Sequence, residues 1–350
     1  MLKWKRVVNL NPGERLAENL KIGNLELKEG TKLDRDMILK LRNSEIEWVC
    51  VYSVELDVYE IDLEPLLPHD FLDEMKESID AIVNQVNTTG RFDPDFVREM
   101  SRRFVETVLE QYEKDVFMNL VKMRNFDEYT FAHHINVATI SLIISKELGL
   151  NEIKIEKVAI SALIHDIGKL DVPPYILFAR RKLTDEEFEV MKKHPINGEK
   201  ICRKSGLKDE EIISGVLQHH EKLDGSGYPY SLRDGEITYV GRIVGVADVY
   251  DALTTERPYK KPWTPYKALS HIIRSTKAFD TKVVNALIRA FGIYPAGTKI
   301  TLSNGKKAIV VGSRKGMVYL PIVSFIDDDG RKITVDLSES KKIKILKVGW

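Results

Sequence analysis

Apolar residues recur at three- and four-residue steps from Asp70 to Gly292, and this period restricts that stretch to helices. In HDFLDEMKESIDAIVNQV, Phe71, Met75, Ile79, Ile82 and Val86 fall on one stripe, which a strand would split between two faces. FDPDFVREMSRRFVETVLEQYEKDVFMNLVKM continues the signal, with Pro94 near the helix start. Thr184 with Glu187 spells a capping box, Asp209 precedes EEIISGVLQ, and Thr264-Pro265 opens YKALSHIIRS. Gly149, Gly168, Gly206 and Gly292 stand where helix C-terminal stops belong. The expectation is an all-helical domain over residues 66–294.

The flanks follow a different period. Residues 1–65 read as a small strand-rich unit: VVNL, LELKEG and EWVCVYSVEL carry β-branched and apolar residues between turn signals, with LDRDMILKLRNS as one short helix. After Tyr294-Pro295 the period becomes two. TKITLSNGKKAIVVGS predicts a hairpin at Asn304-Gly305, and VYLPIVSFIDDDGRKITVDL a second at Asp329-Gly330. Residues 295–350 are the third expected unit, small and β-rich, and its 11 Lys/Arg against 5 Asp/Glu read as solvated strand edges.

Composition narrows the function classes. A 43% hydrophobic content supports packed cores. Lys+Arg and Asp+Glu both number 53, a balance that argues against coating a nucleic-acid polymer or an anionic membrane. Without 18 consecutive uncharged apolar residues, no membrane insertion is expected. MLKWKRVVNLNPGE lacks the apolar core and small-residue cleavage site of a signal peptide. Two cysteines, Cys50 and Cys202, are too few for a disulfide framework, so the cytoplasm is the expected compartment.

Six of the eight histidines lie within residues 133–220. His133-His134 sit early in the helix FAHHINVATISLIISKEL, and His165-Asp166 at the helix end in ALIHDIGK. His194 stands at a helix break made by Pro195, His219-His220 close EEIISGVLQHH, and Asp248 lies in the apolar helix VGRIVGVADVYDAL. Singly, each reads as a hydrogen-bonded core residue. Together they read differently, because an ionised aspartate among Val246, Ala247 and Val249 needs a cation nearby. Imidazoles with carboxylates and no thiolate cluster favour iron, manganese or zinc. Seven candidate ligands exceed one metal and suit two sharing a carboxylate. The following HHEKLDGSGYPYSLRDGEI supplies a loop, through Gly225, Gly227 and Pro229, that no helix enters.

From about Asp127 to Lys261 these residues resemble the HD-GYP family in order and local sequence. The leading histidine is His133, the HD pair His165-Asp166, the lone histidine His194, the double histidine His219-His220 and the closing aspartate Asp248. The GYP itself is Gly227-Tyr228-Pro229. Residues 7–52 more weakly resemble a small domain that often precedes such modules. The resemblance implies a helical HD-type metallohydrolase domain with phosphodiesterase activity on cyclic di-GMP. One metal would be held by His133, His165, Asp166 and Asp248, the other by Asp166, His194, His219 and His220, with Fe or Mn the expected ions. A bridging hydroxide would attack phosphorus, with Lys169 stabilising the developing charge, to give pGpG, and whether GMP follows stays open. The resemblance also implies substrate binding by Lys169, Gly227, Tyr228, Arg257 and Lys260, and recruitment of diguanylate-cyclase-domain proteins by the GYP loop.

One departure bears on metal number. Members with a third metal carry Glu one helical turn before the first histidine, where this chain has Tyr129, and Glu128 lies about 100° round the helix. A binuclear centre is therefore expected. His134, facing away from His133, and His69 and His271, outside the cluster, are expected to be structural. Other readings stay open: a broader HD-type phosphohydrolase on another nucleotide, a cyclic GMP-AMP substrate, or a non-catalytic cyclic di-GMP sensor. The first 65 residues are expected to scaffold the protein and leave room for a homodimer.

Overall fold

The computed structural model describes residues 2–349 except 11, 24, 45, 53–65, 115–128, 180, 256–261, 315, 328, 330 and 341. The architecture is mainly helical with a small β-rich unit on either side. In the first, β1 (Leu2–Arg6) and β2 (Arg15–Leu16) pair antiparallel with the two sides of β5 (Trp48–Tyr52), while β3 (Leu20–Ile22) and β4 (Leu25–Leu27) form a hairpin. Helix α1 (Arg35–Arg42) starts where the Asp34 carboxylate accepts from Met37 N. Leu16, Leu33, Leu41, Val49 and Val51 form a core of their own.

VVNL is not the strand that its β-branched residues suggest. Pairing ends at Arg6 opposite Trp48, and Val7–Asn9 turn as one 3-10 helix closed by Leu10 N–H on the Val7 carbonyl. Val8, 65% exposed, has no sheet face to cover.

Helix α2 (His69–Thr89) buries its predicted stripe, Phe71, Met75, Ile79, Ile82 and Val86, against α3 (Pro94–Lys114), with Pro94 as the first helical residue. Helix α4 (Tyr129–Glu147) is the axis of the domain. Phe131 through Ser145 are buried except for His134, so α4 has no solvent face, as a helix apolar all round requires. Around it pack α3, α5 (Glu152–Ile164), α10 (Tyr239–Thr254) and α12 (Thr281–Phe291). A short 3-10 turn, Ile167–Asp171, and α6 (Pro174–Leu177) lead to α7 (Asp185–Met191), α8 (His194–Lys204) and α9 (Glu210–Gln218), and α11 (Pro265–Arg274) precedes α12. The caps at Thr184/Glu187, Asp209 and Thr264 form as their sequences predict.

Gly149, Gly206 and Gly292 stand just past helix ends, but Gly168 does not. It lies inside the 3-10 turn with the backbone of α8 against it. A Cβ there would meet His194 O at 2.0 Å and Gly198 N at 2.3 Å. Its lack of a side chain permits a close crossing rather than a helix stop. That crossing brings His165-Asp166 to the start of α8, where His194 sits.

Beyond the helices, β6 (Lys299–Leu302), β7 (Lys307–Gly312), β8 (Ile322–Ile326), β9 (Lys332–Asp336) and β10 (Ile345–Val348) form an antiparallel sheet in the order β10-β6-β7-β8-β9. Both hairpins pair as expected, over a core of Ile300, Leu302, Val310 and Val323. Among the described residues, no helix is long and apolar enough to cross a membrane.

Candidate metal centre

Helix ends deliver three of the imidazoles by one device. The last carbonyls of a helix lack intrahelical donors. His165 Nδ1 donates to Ala162 O at 2.7 Å after α5, His194 Nδ1 to Met191 O at 2.9 Å after α7, and His219 Nδ1 to Val216 O at 2.7 Å after α9. A carbonyl only accepts, so each neutral ring carries its proton on Nδ1 and turns an Nε2 lone pair inward.

Those lone pairs converge. His165 Nε2 is 3.3 Å from His133 Nε2, and His194 Nε2 is 3.2 Å from His219 Nε2. Their Nδ1 protons are already spent, so bare nitrogens face one another, an arrangement that calls for a cation between them. Two ligand groups result: Asp166, His194, His219 and His220 in one, His133, His165 and Asp248 in the other, each with its ligand atoms within 4.8 Å of one another.

Asp166 spans both groups. Its Oδ2 lies 3.3 Å from His165 Nε2 and 3.6 Å from His133 Nε2, and its Oδ1 lies 3.2 Å from His194 Nε2 and 3.8 Å from His219 Nε2. Oδ1 is buried and has no hydrogen-bond partner among the described residues. Asp248 reaches both sides as well, Oδ1 at 3.4 Å from His133 Nε2 and Oδ2 at 3.4 Å from His220 Nδ1. Inward lone pairs, an orphaned carboxylate oxygen and mixed His/Asp donors fit divalent transition metals.

Burial and neighbouring charges move the groups of the cluster in different directions. Burial alone would raise Asp166, but Lys169, whose Nζ sits 2.5 Å from Oδ2, and His165 hold its carboxyl well below the usual range. Burial, followed by neighbouring imidazoles, drives His219 and His220 well below the ordinary histidine value. His133 runs the other way: burial lowers it, but hydrogen bonds with Asp166 and Asp251 outweigh that and lift it to about 9.

The GYP loop walls the cluster on the His220 side. The Tyr228 ring lies 4.6 Å from the His220 ring at 31°, and its phenol is pushed up by burial and then by Asp248 and Asp166. Gly227 folds onto the end of α9, where a Cβ would meet Lys222 N at 2.4 Å and Glu221 Cα at 2.5 Å. The loop's anchor is buried Glu221, which accepts from Tyr230 N at 2.7 Å and Leu232 N at 2.9 Å. Lys222, its neighbour, lies over the Phe279 ring at 4.3 Å and is lowered by burial to about 8.

His134 stays outside both groups, its Nδ1 3.1 Å from Leu163 O, and burial, then His165, lowers it to about 3. His69 and His271 lie on exposed helix surface. Arg257, Lys260 and Glu128 fall outside the described residues, as does the side chain of Tyr129, which opens α4. Three residues that motif reading passes over prove part of the assembly: Glu221, Asn136 and Asp251. Asp251 stands one helical turn from Asp248 on the same apolar helix, but its partner His133 lies 118 residues away in the chain.

The chain is similar to several known proteins. The HD domain family model matches residues 115–283. A cyclic di-GMP phosphodiesterase of Pseudomonas aeruginosa is 33% identical over 221 residues, 63% of this chain and 53% of that protein. A cyclic di-GMP phosphodiesterase response regulator of Xanthomonas campestris is 36% identical over 186 residues, 52% of this chain and 49% of that protein. A 3'3'-cGAMP-specific phosphodiesterase of Vibrio cholerae is 33% identical over 185 residues, 51% and 35% of the two chains. This chain thus spans about half the length, or less, of these relatives. Among solved structures, the HDG"Y"P protein Bd1817 from Bdellovibrio bacteriovorus shares the fold, with a TM-score of 0.51 at 18% identity over 82% of this chain and 98% of that one. The chain is thus similar to the HD domain family over residues 115–283, and the Gly227-Tyr228-Pro229 loop stands beside its histidine cluster.

Proposed function

We propose that the chain is a metal-dependent phosphodiesterase that hydrolyses cyclic di-GMP to pGpG or on to GMP. The observation that carries this reading is Asp166, whose two oxygens face two separate sets of inward imidazole nitrogens. His133, His165, Asp166 and Asp248 would hold one ion, and Asp166, His194, His219 and His220 the other. When bound, the two ions, Fe or Mn by the donor set, supply Lewis acidity toward the phosphate oxygens and lower the pKa of water.

The protein's own groups do the rest. Helix-end carbonyls fix the ring tautomers, so no proton has to move before a ligand nitrogen is presented. Lys169, 32% exposed at its side chain, brings a cation to the cluster's rim, where it can meet the charge that develops on the phosphate. Tyr228 covers His220 and keeps water from that side. Arg257 and Lys260 belong to this reading as binders of phosphate or guanine.

Three separate hydrophobic cores support units at residues 1–65, 66–294 and 295–350. Free, buried Cys50 and Cys202 support a reducing compartment, the cytoplasm. Diguanylate-cyclase-domain proteins at the GYP loop and a homodimer complete the proposal. A second reading, cyclic GMP-AMP as substrate, is favoured by the Vibrio relative.

Turnover of both dinucleotides by anaerobically prepared protein with Mn(II) tests these readings. Loss of pGpG formation in His165→Ala is expected. Intact turnover in that variant would refute the metal mechanism, and tight binding of cyclic di-GMP without cleavage by the wild type would favour a sensor.

A further inference from the structure

His133 cannot use the device that serves the other rings. It lies inside α4, where backbone carbonyls are taken by the helix, so its outer nitrogen needs a side-chain acceptor. Asp251 supplies one from α10: its Oδ2 accepts from His133 Nδ1 at 2.7 Å. The other oxygen is held by two donors, Asn136 Nδ2 at 2.8 Å and Thr255 Oγ1 at 2.8 Å. Asp251, Asn136 and Thr255 are 2%, 2% and 5% exposed, so water does not compete for these bonds.

The spacing explains why the assembly is rigid. His133 and Asn136 stand one turn apart on α4, as do Asp248, Asp251 and Thr255 on and just beyond α10. One helix face thus offers a ligand aspartate and a supporting aspartate, and the facing helix a ligand histidine and the amide that steadies its support.

Resting on the two-metal reading above, we infer that Asp251 is a positioning residue that fixes His133 with Nε2 inward and makes the two ion sites unequal. The site of His133, His165 and Asp248 has a full negative charge behind one ring, whereas the rings of His165, His194 and His219 have only neutral carbonyls behind them. A carboxylate partner raises ligand basicity and fixes the tautomer. The His133 site therefore fills first and holds its ion longest.

Asp251→Asn tests this with little change in shape. The amide must turn its NH2 toward either the His133 ring or the Asn136 amide, so one partner is mismatched, and the charge behind the ring is gone. The wild type is expected to bind two Mn(II) per chain, with the electron paramagnetic resonance signal of a coupled pair. In Asp251→Asn one of the two affinities should fall by about 10–100-fold while the other stays within about twofold, and an isolated Mn(II) signal should replace the pair. The double variant Asp251→Asn/Asn136→Asp lets the new carboxylate take the NH2 and returns an oxygen, without the full charge, to His133, so it should recover part of the lost affinity. A mere helix clasp would not require that exchange.

Wild-type binding of both ions by Asp251→Asn would overturn the inference, and so would equal weakening of both sites. Should Asp251→Asn fail to fold, Thr255→Val removes one of the two donors steadying Asp251. It should weaken the same single site, and equal weakening of both sites would overturn the inference. A wild-type chain that binds no Mn(II) would instead defeat the two-metal reading itself.

Discussion

The two walls of the cluster are built by opposite means. On one wall, His165, His194 and His219 are each fixed by a carbonyl three residues back, so their placement follows from where α5, α7 and α9 stop. On the other, the stretch from Leu223 to Ile237 has neither helix nor strand and is tied down by the buried carboxylate of Glu221. The first wall inherits the rigidity of packed helices. The second is held by loop bonds of its own, among them Leu223 N–H on Ala278 O and Tyr228 N–H on His220 O, beside the two that Glu221 accepts. The difference teaches that metal binding and substrate binding should respond to different substitutions.

Asp166 joins the two ligand groups, so its loss should have the largest effect. Asp166→Asn should lower turnover by about 10²–10³-fold or more and reduce the metal content of the purified protein. Unaltered metal content would break the comparison at its strongest point.

Glu221→Ala comes next. It leaves two backbone N–H groups without a charged acceptor, a cost of about 2–4 kcal/mol in a chemical-denaturation series. It should raise KM while metal content stays near that of the wild type. Gly227→Ala, whose Cβ would collide with Lys222 N and Glu221 Cα, should act in the same direction without removing metal. If either variant lost metal as readily as Asp166→Asn, the two walls would not be independent.

The smallest effect concerns how the helix-end wall is clamped. Lys157 on α5 reaches Asp209 at 2.9 Å and Glu211 at 2.7 Å, both at the start of α9. Burial would raise the Asp209 carboxyl, but Lys157 holds it below the usual range, and Lys154 and Lys157 do so for Glu211. Depressed carboxylates contribute stability above their unfolded pKa and lose it as pH falls through their folded one. Lys157→Met should therefore cost about 0.5–1 kcal/mol at pH 7, and the gap should close in acid, as thermal melts across pH would show.

Much of this was legible in the chain, for physical reasons that differ by residue. The α2 stripe and the caps at Thr184, Asp209 and Thr264 depend on neighbours within a few positions, so local sequence determines them. The seven candidate ligands were legible because few other patterns justify so many buried histidines and aspartates. Gly168 was misread because a glycine that ends a helix and one that admits a crossing backbone look alike until α8 is placed. VVNL was misread because β-branching does not reveal where a partner strand stops. Asp251 meets His133 across 118 residues of chain, and no local rule predicts that acceptor.

The central claim is that Asp166 divides one cluster into two ion sites that work together on a phosphodiester. The most direct test reconstitutes anaerobic full-length protein with Mn(II) or Fe(II), counts metal per chain and follows cyclic di-GMP in the same sample. About two ions per chain with conversion to pGpG or GMP is the predicted result. A chain that binds no ion under these conditions, or that turns the dinucleotide over equally well in excess chelator, would contradict the account.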